Sequence, residues 1–215
     1  MKKKGILVVI SGFSGVGKGT LMKELTTRYA DTYALSVSAT TRSPREGEEN
    51  GKDYFFLSRE AFERRIRGGE LLEYAEYCGN YYGTPRHYVE GQLEAGKDVL
   101  LEIEIQGARQ IRKNEPDAFL VFIMPPDAET LLKRLRGRGT ESEEVIGQRM
   151  KQAVYEAQGI EEYDCILVND DLEASTEELH RMIQLKKNET CRNLAQIEIT
   201  RQEITKAAQE FGSGK

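Results

Sequence analysis

Ile6-Leu-Val-Val-Ile10-Ser-Gly12-Phe-Ser14-Gly15-Val16-Gly17-Lys18-Gly19-Thr20 decides the architecture. Its apolar opening does not alternate with polar residues, the pattern of a strand covered on both faces. A glycine-rich turn follows. From Thr20 to Tyr29 apolar residues then recur at three-to-four spacing, which predicts a helix. Strand, glycine loop and helix in that order are what a phosphate cradle requires. The glycines let successive N–H groups turn toward one anion, the helix start adds its positive dipole end, and Lys18 brings a mobile point charge. A nucleoside triphosphate is the expected tenant. Gly19 stands where the general pattern has Ser or Thr, so a magnesium-binding hydroxyl would come from Thr20 or be replaced by water.

Outward from this stretch, strand-like runs recur at Val99 to Ile105, Phe119 to Met124 and Cys165 to Val168. Helical periodicity marks Gln106 to Lys113, Ala128 to Arg136, Glu143 to Gln158 and Leu172 to Lys187. This alternation predicts an α/β fold, a parallel sheet with crossover helices. Between Ser36 and Tyr88 glycine, proline, asparagine and aromatic residues concentrate, which reads as an inserted subdomain of short strands and turns. Arg136-Gly-Arg138-Gly-Thr-Glu interrupts a helical pattern with two glycines and reads as a hinge. One domain is therefore expected over 1–190: a core of 1–35, 89–132 and 160–190, an inserted subdomain at 36–88 and a helical lid at 133–159. The tail, 191–215, has Ile197, Ile199 and Ile204 spaced for a short amphipathic helix and otherwise reads as frayed.

The 215 residues carry 31 Lys and Arg against 36 Asp and Glu, a formal net charge of −5, and 39% are hydrophobic. That is an ordinary globular composition. The acidic balance gives no general attraction to nucleic-acid backbones or anionic membranes, so neither is expected as a partner and any bound anion must meet locally placed cations. Monomer and homo-oligomer both stay open. Cys78, Cys165 and Cys191 form no C-x-x-C pair, and His87 and His180 stand far apart. Neither a disulfide framework nor a zinc site is expected, and reduced thiols point to the cytoplasm. The lysine-rich start has the charge of a signal peptide, but its apolar run stops at Ile10, short of a targeting segment and of the roughly 18 apolar residues of a membrane span.

Further residues carry recognisable chemistry. Arg42 and Arg45 flank Pro44 and can direct two guanidinium forks at one phosphate monoester, a second phosphate site apart from the glycine loop. Glu102 and Glu104, two apart on a predicted strand, would face the same side near the end where α/β sheets place ligands. Lys133, Arg134, Arg136 and Arg138 set four cations close together, and Arg149 follows on the next predicted helix.

The run Ser36 to Phe56, with Gly79-Asn-Tyr-Tyr82-Gly-Thr84, Glu102-Ile-Glu104-Ile-Gln-Gly107, Arg134-Leu-Arg-Gly-Arg138-Gly-Thr-Glu and Val168-Asn169-Asp-Asp-Leu172, resembles guanylate kinase from about residue 5 to 187. The resemblance implies a P-loop kinase fold and magnesium-dependent phosphoryl transfer from ATP to GMP or dGMP. It further implies that Arg42, Arg45, Tyr54 and Tyr82 hold the phosphate of GMP while Ser38, Glu73 and Thr84 recognise guanine, with Glu102 and Glu104 also in the GMP-binding site. Glu104 stands where the family usually has Asp. Arg134, Arg138 and Arg149 are implied to close over the transferring group, and Asn169 to hold adenine. Such a reaction needs no general base, because the acceptor phosphate, with a second pKa of about 6, is already mostly dianionic near neutral pH. Two other readings share parts of the pattern: a non-catalytic guanylate-kinase-like binding module, and a kinase acting on another monophosphate. The intact loop lysine and lid arginines weigh against the first, and Glu73 with Ser38 and Thr84 against the second.

Overall fold

Strand β1 (Leu7–Gly12) sends Leu7 and Val9 to one hydrophobic core and Val8 and Ile10 to another. This two-sided burial is why the run shows no alternation. Around it, β2 (Tyr33–Leu35), β7 (Asp98–Glu102), β8 (Phe119–Met124) and β9 (Cys165–Val168) complete a five-stranded sheet in the order β2-β7-β1-β8-β9. Every pairing in it is parallel. The computed structural model describes residues 3–77, 79–137 and 142–212, so Cys78 and Arg138 lie outside the described residues.

Helices cover both faces of this sheet. On one, α1 (Lys18–Arg28) supplies Leu21, Met22 and Leu25, and α7 (Leu172–Lys187) supplies Leu179 and Ile183. The same core takes Leu131 and Leu135 from α5 (Ala128–Gly137) and Ile146 and Ala153 from α6 (Glu143–Ala157). On the other face lie Val89 and Leu93 of α3 (Arg86–Glu94) with Ala108 and Ile111 of α4 (Ile105–Asn114). The lid expected from residue 133 thus begins inside α5.

Between β2 and α3 the chain builds a second sheet from β3 (Ala39–Thr40), β4 (Phe55–Phe56), β5 (Leu71–Tyr77) and β6 (Asn80–Pro85), in the order β4-β3-β6-β5. Its small core of Ala39, Phe62 and Leu71 is separate from the two cores of the main sheet. Helix α2 (Arg59–Arg67) belongs to this unit and is absent from the sequence reading of strands and turns. Phe62 is buried and Ile66, one turn on, packs beside it on the same core, while the remaining residues are mostly charged and face away. Its start is legible: the Ser58 side chain accepts from the Ala61 N–H.

After a short 3₁₀ turn at Thr190–Asn193 the chain ends in α8 (Leu194–Gly212), a 19-residue helix rather than a short one. Among the described residues no helix is long and apolar enough to cross a membrane.

Candidate active site

The loop between β1 and α1 is shaped by its glycines. Gly17 caps α1 at φ 99°, in the left-handed region, and a Cβ there would stand 2.7 Å from Asn169 Nδ2. That amide in turn donates to the Val16 carbonyl at 2.8 Å, tying the loop to the end of β9. The Lys18 ammonium donates to the carbonyls of Gly12 (2.7 Å) and Phe13 (3.2 Å), which keeps its charge at the loop. Ser14 and Gly15 are half-buried, whereas Gly19 and Thr20 are exposed on the first turn of α1. This is an anion nest with a cation attached.

The second phosphate site is built from side chains holding side chains. Arg42 makes a two-pronged ion pair with Glu48, at 3.0 and 2.8 Å, and lies 5.4 Å from the Tyr54 ring centroid. Tyr54 and Tyr82 meet edge-to-face at 6.2 Å, and the Tyr82 side chain also reaches Arg42. Glu48 Oε2 accepts the Arg45 main-chain N–H at 2.7 Å as well, so one carboxylate fixes the Arg42 guanidinium and the Arg45 main chain. The Arg42 bond holds the Glu48 carboxyl below the usual carboxylate range. The side chains of Arg42, Tyr54 and Tyr82, expected to grip a phosphate, are thus brought together, with the Arg45 main chain beside them. Glu48, not singled out from the sequence, positions Arg42 and the Arg45 main chain.

Glu73 lies on β5 with its side chain buried. Thr84 Oγ donates to its Oε1 at 2.6 Å, and burial pushes the carboxyl up from its ordinary range. Helix α4 grips the main chain on either side of it. Gln110 exchanges two bonds with Tyr74, and Asn114 donates to the Leu72 carbonyl at 3.0 Å. Gly107 on the same helix leaves the space Glu73 occupies, since a Cβ there would stand 3.0 Å from Glu73 Oε2. Ser38, half-buried at the entry to β3, shares this subdomain. Gln110 and Asn114 carried no signal of their own, because a helix amide reads as surface until its neighbour is known.

Glu102 and Glu104 are not two residues on one strand face. β7 ends at Glu102, and Glu104 is the N-cap of α4 without a side-chain capping bond. Both are exposed, so no like-charged pair is buried in the sheet. The polar residues Glu102 and Glu104 break the apolar run, and the chain turns there into the helix that carries Gly107.

The expected lid arginines separate. Arg149 on α6 donates to Ser14 Oγ, so this helix reaches over the loop. Arg134 on α5 donates to the main-chain carbonyls of Val16 (3.2 Å), Asn169 (2.8 Å) and Asp170 (3.3 Å). Its guanidinium sits on the loop backbone and the β9 exit rather than over the anion face. Arg138 falls outside the described residues.

A glycine loop capped by Lys18, a tyrosine and arginine phosphate clamp, and a buried Glu73–Thr84 pair therefore share one molecule. A family model described as guanylate kinase matches residues 4–186. The chain belongs to the guanylate kinase family. It is 53% identical over 184 residues to the guanylate kinase of Streptococcus thermophilus, covering 86% of this chain and 88% of that one. To the guanylate kinase of Trichormus variabilis it is 55% identical over 171 residues, 80% and 85% of the two chains. The crystal structure of guanylate kinase from Anaplasma phagocytophilum superposes with a TM-score of 0.70 at 34% identity, over 91% of this chain and 94% of that one. A parallel sheet with its helices is thus the fold of this guanylate kinase family member, as its sequence led one to expect.

Proposed function

We propose that this chain transfers the γ-phosphoryl group of ATP to GMP, and to dGMP, giving ADP and GDP or dGDP. The observation that carries the choice of acceptor is the buried Glu73–Thr84 pair beside the Arg42–Glu48–Tyr54–Tyr82 clamp. Guanine offers N–H donors at N1 and N2, and an ionised Glu73 accepts from both. Adenine would set an acceptor nitrogen against the carboxylate. A buried polar site of this kind discriminates by roughly 10⁴ or more, because the wrong base leaves its groups unpaired. Ser38 and Glu104 complete the base pocket, and Arg45 joins Arg42 on the GMP phosphate.

ATP phosphates occupy the nest of Gly12, Ser14, Gly15, Val16, Gly17, Gly19 and Thr20, with Lys18 on the terminal pair. Arg149 and Arg138 act from the lid on the transferring group. Asn169 uses its nitrogen on Val16 and has its Oδ1 for the exocyclic amine of adenine. Arg134, with its bonds to three carbonyls, locks the loop to the adenine side. The acceptor phosphate is its own nucleophile, so these groups align two anions, exclude water and neutralise charge on the equatorial oxygens.

Magnesium is the cofactor of this reading, and the residues fit a hard cation. The Thr20 hydroxyl and the Glu102 carboxylate supply oxygen donors at the start of α1, with Glu102 Oε2 4.0 Å from where a Gly19 Cβ would stand. Among the described residues no three His, Cys, Asp or Glu side chains converge as a cage. Nucleotide phosphates and water therefore provide most of the ligands. When bound, the ion draws charge from the β- and γ-phosphates. Use of ATP and GMP, together with the free Cys165 and Cys191, supports a cytoplasmic enzyme.

Purified chain supplied with magnesium, ATP and GMP should release ADP and GDP in a coupled assay, with AMP, UMP and IMP far poorer acceptors. No GDP at all would overturn this reading, and equal turnover of AMP would overturn the role of Glu73.

A further inference from the structure

Apart from Asp98, which Lys187 pairs, phosphoryl transfer as derived above leaves one buried acid unused. Glu156 on α6 is 7% exposed, its Oε2 is buried without a hydrogen-bond partner, and its Oε1 takes a long 3.5 Å bond from Gln152 Nε2. A carboxyl so placed costs stability unless nearby charge offsets the lost hydration. On α6, Ile146, Arg149, Ala153 and Glu156 follow one another at spacings of three, four and three, and so share a face. Burial of Ile146 and Ala153 and the bond from Arg149 to Ser14 turn that face toward the phosphate loop. There Glu156 comes within electrostatic reach of the Lys18 ammonium and of the Glu104 carboxylate. Burial pushes the Glu156 carboxyl up from its ordinary range and the Glu104 carboxylate adds to this, while the Lys18 ammonium draws it back down.

We infer that Glu156 is a positioning residue for Lys18, a lid-borne anchor added to the loop carbonyls of Gly12 and Phe13 that hold its ammonium. The inference rests on the phosphoryl-transfer reading of the loop. Because Glu156 rides on α6, the lysine is fully placed for the terminal phosphates only when that helix is docked. Lid closure and loop charge are then one event, with Arg149 and Glu156 as its two contacts, two turns apart on the same helix.

The test is a double-mutant cycle with kcat for ATP and GMP, and thermal melting of each variant. Glu156→Gln keeps the shape and removes the charge. It should lower kcat by about tenfold with the KM for GMP little changed and the melting temperature equal to or above that of the parent. In a Lys18→Ala background, assayed at high enzyme concentration, the same change should add no further loss, because the group it acts through is gone. Glu156→Gln at parental kcat would overturn the inference. So would an equal fold loss in both backgrounds, the mark of a structural role. Failure of the parent to form GDP would instead overturn the underlying reading, and the parental assay separates the two.

Discussion

Around Gly12–Thr20 the anion-binding groups are main-chain amides, set by glycine conformations, with a single lysine added. Between Arg42 and Thr84 side chains are instead held by other side chains: Arg42 by Glu48, Tyr54 against Tyr82, Glu73 by Thr84. Both regions are built to take a phosphate, yet they differ in what fixes them. A backbone nest is placed by local sequence and one neighbouring strand. The clamp depends on a second sheet folding on its own small core and then docking on α4. The first region is suited to a group common to all nucleotides, and the second to one particular nucleotide.

The largest effect expected from this contrast is at Lys18. Lys18→Ala should reduce kcat by about 10²–10³-fold or more, as loss of a charge directed at the transition state does, while GMP titrated calorimetrically binds nearly as before. A kcat close to the parental value would break the division between the regions.

Glu73→Gln should act in the opposite sense. GMP affinity should fall by about 100-fold with ATP affinity unchanged, as expected for a buried partner whose acceptor pattern is wrong. The pH dependence follows from the raised carboxyl. The folded chain holds this proton more tightly than the unfolded one. The stability associated with Glu73 is therefore full below the ordinary carboxylate pKa and is lost as pH rises through the raised value. Glu73→Gln escapes that loss, so it should melt above the parent at neutral pH, with the gap closing toward acid. In the parent, GMP binding should weaken as pH falls through the same raised value. A variant melting below the parent at neutral pH would show that Glu73 is structural.

Glu48→Gln sharpens the comparison further, since it touches the clamp only through its support. Arg42 loses its charged partner and Arg45 a carboxylate acceptor, and GMP should bind roughly tenfold more weakly, about 1.5 kcal/mol. Unchanged GMP affinity would mean that the arginines are held by the phosphate alone. The smallest effect lies between the regions, at Glu104. An N-cap Asp reaches the main-chain N–H groups that Glu104 leaves uncapped, so Glu104→Asp should stabilise the fold by about 0.5–1 kcal/mol in denaturant unfolding. No gain would mean that the start of α4 is satisfied in another way.

Much of this was legible in one dimension. The strands at Phe119–Met124 and Cys165–Val168 and the helix at Leu172–Lys187 run as their patterns indicate: the first is apolar because both its faces are covered, and the helix buries Thr176, Leu179 and Ile183 at three-to-four spacing. Helix α2 went unread although Phe62 and Ile66, four apart, both reach the small core, because it lies in a glycine- and aromatic-rich stretch that reads as strands and turns; β2 is only three residues long. That Arg42, Tyr54 and Tyr82 would cluster and that Glu73 would lie with Thr84 was expected through resemblance. Their supports, Glu48, Gln110 and Asn114, were not, since each acts across the fold on a partner that spacing does not reveal.

What the sequence determined by itself is the phosphate loop, the two-sided sheet and the family, all of which rest on neighbours along the chain. Only the tertiary structure decided that Arg134 turns to backbone carbonyls, that Glu104 stands at the start of a helix instead of extending a strand, and that Glu73 and Glu156 are buried acids. The reason is physical. Local conformation follows from adjacent residues, whereas a side chain's hydration and partners depend on which distant segments exclude water from it.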